Sequence, residues 1–204
     1  MNAQKIVSFI RSDGPLEGAA QRPGPAASRE APAYSLRPLE KADEAFSFAV
    51  YASTRAAEME LVDWPQEQKN AFLQMQFNAQ HQHYHLHYPL ARWQVMEVEG
   101  RPPQGRRDTT LTGVQGARAA GRLVSDDARE DLCLIMDIAL LPEYRGRGIG
   151  TAILHELLQA ADRAGKTVML HVEPNNPALR LYQRLGFEIS AKSGFYLEMK
   201  RTYA

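Results

Sequence analysis

Apolar and polar positions recur with changing periods along this chain, and each change of period marks an element. Residues 34–38 (Tyr-Ser-Leu-Arg-Pro) read as a first strand. Two helical stretches follow. The first, residues 43–60, repeats core-type positions at Phe46, Ala49, Val50 and Ser53. The second opens at Asp63-Trp64-Pro65, where proline suits a first helical turn. It runs through Phe72, Met75, Gln76 and Ala79 and fades near Tyr88-Pro89. Residues 92–98, 118–124 and 131–140 have strand character, and residues 100–116, crowded with Gly, Pro, Arg and Thr, read as a long mobile hairpin loop. In residues 151–164, Ile153, Leu154, Leu157, Leu158 and Ala161 share one helix face, and Gly165 stands where a helix ends. A strand over 167–172 precedes a helix over 177–185, with Asn176 as N-cap and Gly186 after its end. Residues 187–190 and 195–200 close the chain as a pair of strands. The order (strand, two helices, three strands, helix, strand, helix, two strands) predicts an α/β fold of the α+β type around a mixed sheet.

Composition narrows the picture. Residues 1–33 are poor in large apolar side chains and rich in Gly, Pro, Ala and Arg, so they are expected to form a flexible tail before a single domain at 34–204. Lys plus Arg number 24 and Asp plus Glu 24, a formal net charge of zero, which argues against general affinity for nucleic acid. No apolar run approaches the roughly 20 residues that span a bilayer, and the stretch at residues 6–10 is too short for a secretory signal, so no membrane partner is expected. The single cysteine, Cys133, excludes an intrachain disulfide and a thiolate cluster, and fits a reducing, cytoplasmic setting.

The most informative stretch is Leu140-Leu141-Pro142-Glu143-Tyr144-Arg145-Gly146-Arg147-Gly148-Ile149-Gly150-Thr151. A strand ends, a loop with three alternate glycines follows, and an amphipathic helix begins. Glycines allow close backbone approach, and the helix start offers unpaired amides at the positive end of its dipole. Together they make a seat for a phosphate or diphosphate, with Arg145 and Arg147 adding charge. The spacing fits neither Gly-x-Gly-x-x-Gly nor a nucleotide P-loop.

The surroundings resemble the GNAT superfamily of N-acetyltransferases. Arg145-Gly146-Arg147-Gly148-Ile149-Gly150 matches its loop Gln/Arg-x-x-Gly-x-Gly/Ala, and Asn175 to Phe187 resembles its Asn-x-x-Ala-x-x-Leu-Tyr-x-x-x-Gly-Phe element. The resemblance implies a mostly antiparallel sheet whose fourth and fifth strands splay, with acetyl-CoA or another acyl-CoA as co-substrate. It implies that the coenzyme arm lies along the backbone of Ile138, Ala139 and Leu140. The diphosphate would lie on the amides of Arg145, Gly146, Arg147, Gly148, Ile149, Gly150 and Thr151, with Asn175 facing the coenzyme arm. An amine would attack the thioester directly, the Leu140 backbone N–H would hold the oxyanion, and Tyr182 would protonate the leaving thiolate. A non-catalytic acyl-CoA-binding module on the same fold is the alternative.

The general base is less legible. Asp137 on the fourth strand near the reacting end, Glu173 at the end of the fifth and Glu97 on the second are the candidates, and the apolar Leu134 stands in the region where the family often carries a glutamate. Trp64, Phe72, Gln76, Tyr84 and Tyr88 are expected near the acceptor pocket, which leans toward a small-molecule amine. His81, His83, His85 and His87 read as a polar helix end rather than a metal site. A free strand edge would offer a surface for a homodimer.

Overall fold

The computed structural model describes residues 33–99 and 117–203. The expected loop at 100–116 lies outside the described residues, as does the expected tail apart from Ala33. Seven strands form one sheet in the order β1-β2-β3-β4-β5-β7-β6. They are β1 (Tyr34–Pro38), β2 (Arg92–Glu99), β3 (Ala117–Asp126), β4 (Leu132–Leu140), β5 (Thr167–Val172), β6 (Glu188–Ser193) and β7 (Tyr196–Arg201). Every neighbouring pair is antiparallel except β4 and β5. The mixed, mostly antiparallel sheet read from the sequence is therefore the one observed. β3 and β4 are buried along almost their whole length, as strands covered on both faces must be.

The described residues form five α-helices, α1 (Glu44–Thr54), α2 (Ala56–Glu60), α3 (Gln66–His87), α4 (Ile149–Arg163) and α5 (Leu179–Arg184), and all but α2, which buries no residue, supply that cover. On one face, Phe46 and Val50 of α1 pack on Val95, Ala119 and Ala139, while Tyr84 of α3 packs on Val124, Leu134 and Met136. On the other, Ile149, Ile153, Leu154 and Leu158 of α4, with Leu181 and Tyr182 of α5, pack on Met96, Leu123, Ile135, Ile138 and Leu140. The last of these positions show the strand period of two at work, each face taking alternate residues.

Two expectations are corrected. The helix read over residues 43–60 is broken at Arg55, whose φ of −104° and ψ of 1° leave the helical region. The core face of α3 is not the one read from Phe72, Met75, Gln76 and Ala79. Leu73, Phe77 and Tyr84 are buried instead, while Met75 is 59% exposed. Leu73 and Phe77 meet Tyr51 of α1, so contact with a neighbouring helix sets the rotation of α3.

The entry to α1 is fixed electrostatically. Arg37 on β1 grips Asp43 with both terminal nitrogens (2.6 and 2.8 Å) and donates its Nε to Glu97 on β2 (2.7 Å). Such forked guanidinium–carboxylate pairs are the geometrically specific kind.

Candidate active site

The site begins with a fault in the sheet. β4 and β5 pair in register from Leu132↔Thr167 to Ile135↔Leu170, and the pairing ends there. β5 continues against β7 as far as Val172↔Leu197, while β4 continues against β3 to Gly121↔Leu140. The two parallel strands thus part over the C-terminal half of β4. The cause lies one residue away: Ser125 pairs with Ile135 and Val124 with Asp137, so Met136 is an extra residue in β4. A bulge bends its strand and raises the local twist. The Met136 carbonyl accepts the Tyr84 hydroxyl of α3 (3.0 Å), which satisfies a polar group that the disrupted ladder would strand.

The parting exposes main chain. Leu141 N–H donates to Ala120 O (2.8 Å), which makes Gly121↔Leu140 a pair without direct mutual bonds. The amides of Leu140 and, two residues back, Ile138 therefore point away from β3 and into the gap, while the Ala139 amide points toward β3. Glycine is required opposite. A Cβ on Gly121 would lie 2.2 Å from Ala139 O, so β3 holds the end of β4 closer than any other residue would permit.

Immediately beyond β4 comes the glycine loop. Gly146 and Gly148 have φ of 68° and 82°, in the left-handed region that favours glycine. Gly148 is the N-cap of α4 and provides no side-chain acceptor. Ala152 N–H already bonds to Gly148 O, so the first-turn amides of Ile149, Gly150 and Thr151 are the ones that point at the loop without a helical partner. Arg145 departs from its expected role. Its N–H donates to Pro142 O (3.2 Å), its Nε to Leu140 O (2.8 Å) and its Nη2 to Ser53 Oγ (2.9 Å). It straps the loop to the end of β4 and to α1, which narrows the expected diphosphate seat to residues 146–151. Arg147 stays exposed, with its guanidinium 5.9 Å over the Tyr144 ring.

The carboxylates sort clearly. Because of the bulge, Met136 and Asp137 both face α1 and α3. Asp137 is only 3% exposed, and its Oδ2 accepts from Arg122 Nε. Burial pushes its carboxyl up, against the opposing pull of Arg122. The other Arg122 nitrogens reach Ser47 Oγ and Gln80 Oε1, both at 3.0 Å. Asp137 is thus one corner of a closed buried network, and the expectation of a base there is corrected. Glu97 is likewise committed to Arg37. Glu173 borders a cleft of about 200 Å³, lined also by Thr54, Ala57, Glu58, Leu61 and Asn175. Arg55 spans this cleft, with Nη1 3.0 Å from Glu58 and 3.4 Å from Glu173.

Tyr182 is wholly buried in α5, edge-on to Phe187 at 5.7 Å. Asn175 is exposed at the cleft, and its neighbour Asn176 caps the helix region, Oδ1 accepting from Ala178 N–H (2.9 Å). The expected acceptor aromatics divide. Trp64 is 44% exposed and edge-on to Phe72, and Gln76 accepts from the Tyr51 hydroxyl, but Tyr84 is fully buried under the bulge and Tyr88 packs against it. Sequence reasoning missed Arg122 and Arg55. An arginine inside the apolar run Ala119-Ala120-Gly121-Arg122-Leu123-Val124 was a readable signal, since such a charge must find a buried partner. No helix among the described residues is long and apolar enough to cross a membrane.

Known proteins share this fold. The model of the acetyltransferase (GNAT) family matches residues 59–187. An uncharacterized N-acetyltransferase of Methanocaldococcus jannaschii is 29% identical over 125 residues, 57% of this chain and 55% of that protein. The [ribosomal protein bS18]-alanine N-acetyltransferase of Haemophilus influenzae is 30% identical over 95 residues, 46% of this chain and 64% of that protein. The chain thus spans between half and two thirds of the length of these curated relatives. Among solved structures, an N-acetyltransferase of Thermoplasma acidophilum in complex with coenzyme A superposes with a TM-score of 0.58 at 15% identity, covering 84% of this chain and 99% of that one. The Escherichia coli ribosomal-protein-S18-alanine N-acetyltransferase gives 0.51 at 16% identity, covering 84% and 95%. At such identities these two superpositions speak to fold alone.

Proposed function

Because the chain belongs to the GNAT acetyltransferase family, we propose that it moves an acetyl or other short acyl group from acyl-CoA to the amine of a small molecule, within one domain at 34–204. The observation that carries this reading is the gap between β4 and β5, open on one side to the Leu140 amide and leading directly to the uncapped start of α4. Coenzyme A has a peptide-like arm and a diphosphate, and this gap and these amides are complementary to the two. Amides from residues 146–151 would hold the diphosphate at the positive end of the helix dipole. The Ile138 and Leu140 main chain would receive the arm.

The chemistry asked of the protein is modest. The acceptor amine arrives protonated and must lose a proton before it attacks. Glu173, at the cleft and beside Arg55, is the candidate to take it, directly or through water. Negative charge growing on the thioester oxygen is met by the Leu140 N–H, fixed before the reaction begins. The departing thiolate, with a pKa of about 8.5 by analogy with cysteine, needs only a weak acid, and Tyr182 fills that role. A cleft of about 200 Å³ supports a small acceptor. The acceptor named for the Haemophilus influenzae relative is a ribosomal protein, so a peptide N-terminus belongs beside small amines in the assay.

The test is thiol release from acetyl-CoA with a panel of amines and peptide N-termini. Tyr182→Phe is expected to lower kcat by about 10- to 1,000-fold while coenzyme A affinity by calorimetry is kept. Unchanged turnover removes Tyr182 from the reaction, and no heat on adding coenzyme A to folded protein overturns the reading as a whole.

A further inference from the structure

Helix α3 ends in a run that the acyl-transfer reading does not use. His81 and His85 stand one turn apart, and their Nε2 atoms are 2.8 Å from each other. His85 lies flat on the Trp93 indole, with rings 4.7 Å apart and 9° from parallel, so its orientation is set by packing. His81 is wedged against Phe77 and Trp93 at 5.7 and 4.5 Å. Its Nδ1 is buried and has no hydrogen-bond partner among the described residues. Nε2 is therefore the one nitrogen through which this ring reaches a partner, and it is aimed at the matching atom of His85. Two neutral imidazoles so placed share a single proton between two lone pairs.

We propose that His81 and His85 form a chelating site for a divalent transition-metal ion, held through both Nε2 atoms and completed by water. The separation speaks to the class of metal. With metal–nitrogen bonds of about 2.05 Å, a 2.8 Å spacing subtends about 86° at the ion, whereas a tetrahedral centre needs nitrogens about 3.3 Å apart. A near-right angle suits the tetragonal preference of copper(II) and nickel(II). In the hydrogen-bonded pair the accepting ring already carries its proton on Nδ1, so coordination through both Nε2 atoms requires only that the donating ring's Nε2 proton move to its own Nδ1, with no net proton released. The site lies in the last two turns of α3, where the helix dipole is negative and favours a cation. His83 and His87 also stand one turn apart, with ring centres 4.4 Å apart but without a nitrogen–nitrogen hydrogen bond like that of His81 and His85, and serve as the internal comparison.

The experiment titrates copper(II) and nickel(II) into the untagged full chain in a non-chelating buffer, followed by calorimetry. Saturation at one ion per chain is expected. His85→Ala, at an exposed position, and His81→Ala should each weaken binding at least 10-fold, while His83→Ala should leave it within about 2-fold. Nickel should also raise the melting temperature of the wild type but not of His85→Ala. Unsaturable binding, binding untouched by His85→Ala, or binding lost instead in His83→Ala overturns the proposal. Coenzyme A affinity, unchanged in His85→Ala, keeps this result separate from the acyl-transfer reading.

Discussion

Asp137 shows how one carboxylate can be read for catalysis and serve structure. It lies beside the gap in sequence, yet its side chain faces the opposite helices and meets Arg122, itself 2% exposed. Removing one member of a buried ion pair leaves the other uncompensated, at a cost of about 3–5 kcal/mol. Asp137→Ala should lose that much in urea denaturation, and the double change Asp137→Leu with Arg122→Met should recover most of it. A general base would behave otherwise: the single change would cut turnover and leave the denaturation midpoint in place. Arg145 carries the same lesson with the opposite sign of charge. It occupies the defining position of its motif, yet its contacts are to Leu140, Pro142 and Ser53 of its own chain.

Helix α4 and the loop before it form the element on which ligand binding depends. Gly148 holds φ of 82° at its first turn, and Gly165 holds 65° just past its end, with open space where a Cβ would sit. A Cβ in the left-handed region costs about 1–2 kcal/mol. Gly148→Ala and Gly165→Ala should therefore each lower the melting temperature by roughly 2–8 °C. Only Gly148→Ala should weaken coenzyme A binding, at least ~10-fold, because only that residue shapes the amide seat. Equal binding in the two variants would remove the loop from recognition. At this scale much was legible. β1 falls at the residues read from the sequence, and α4 stops before Gly165, because punctuation by Pro and Gly is local chemistry. Rotation was not legible. The period of α3 fixed its spacing, but Leu73, Phe77 and Tyr84 face inward because Tyr51 and the Met136 carbonyl lie there, and both are distant in sequence. The bulge was equally hidden, since an extra residue in β4 exists only relative to the register of β3.

At the scale of the molecule, the sheet and the helices on its first face are joined through the Arg37, Asp43 and Glu97 cluster. The Arg37 guanidinium holds the Asp43 carboxyl below its ordinary value of 3.8. A depressed folded value contributes stability that is present above the unfolded value and lost as pH falls through the folded one. The wild-type urea midpoint should therefore fall more steeply below about pH 4 than that of Asp43→Asn, which lacks this titration. Parallel curves would show that the pair adds nothing. The fold class was legible in the order of strands and helices, whereas the gap between β4 and β5 was implied only by the resemblance to the GNAT superfamily that the glycine loop carries. The buried charges were not legible, because their partners come from strands and helices that only the folded chain assembles.

The Tyr84 hydroxyl on the Met136 carbonyl has a consequence for how anything enters between β4 and β5. The strands are pried apart by the protein's own packing, so a visitor finds its berth already vacated. Little of its affinity is then diverted into remodelling the host.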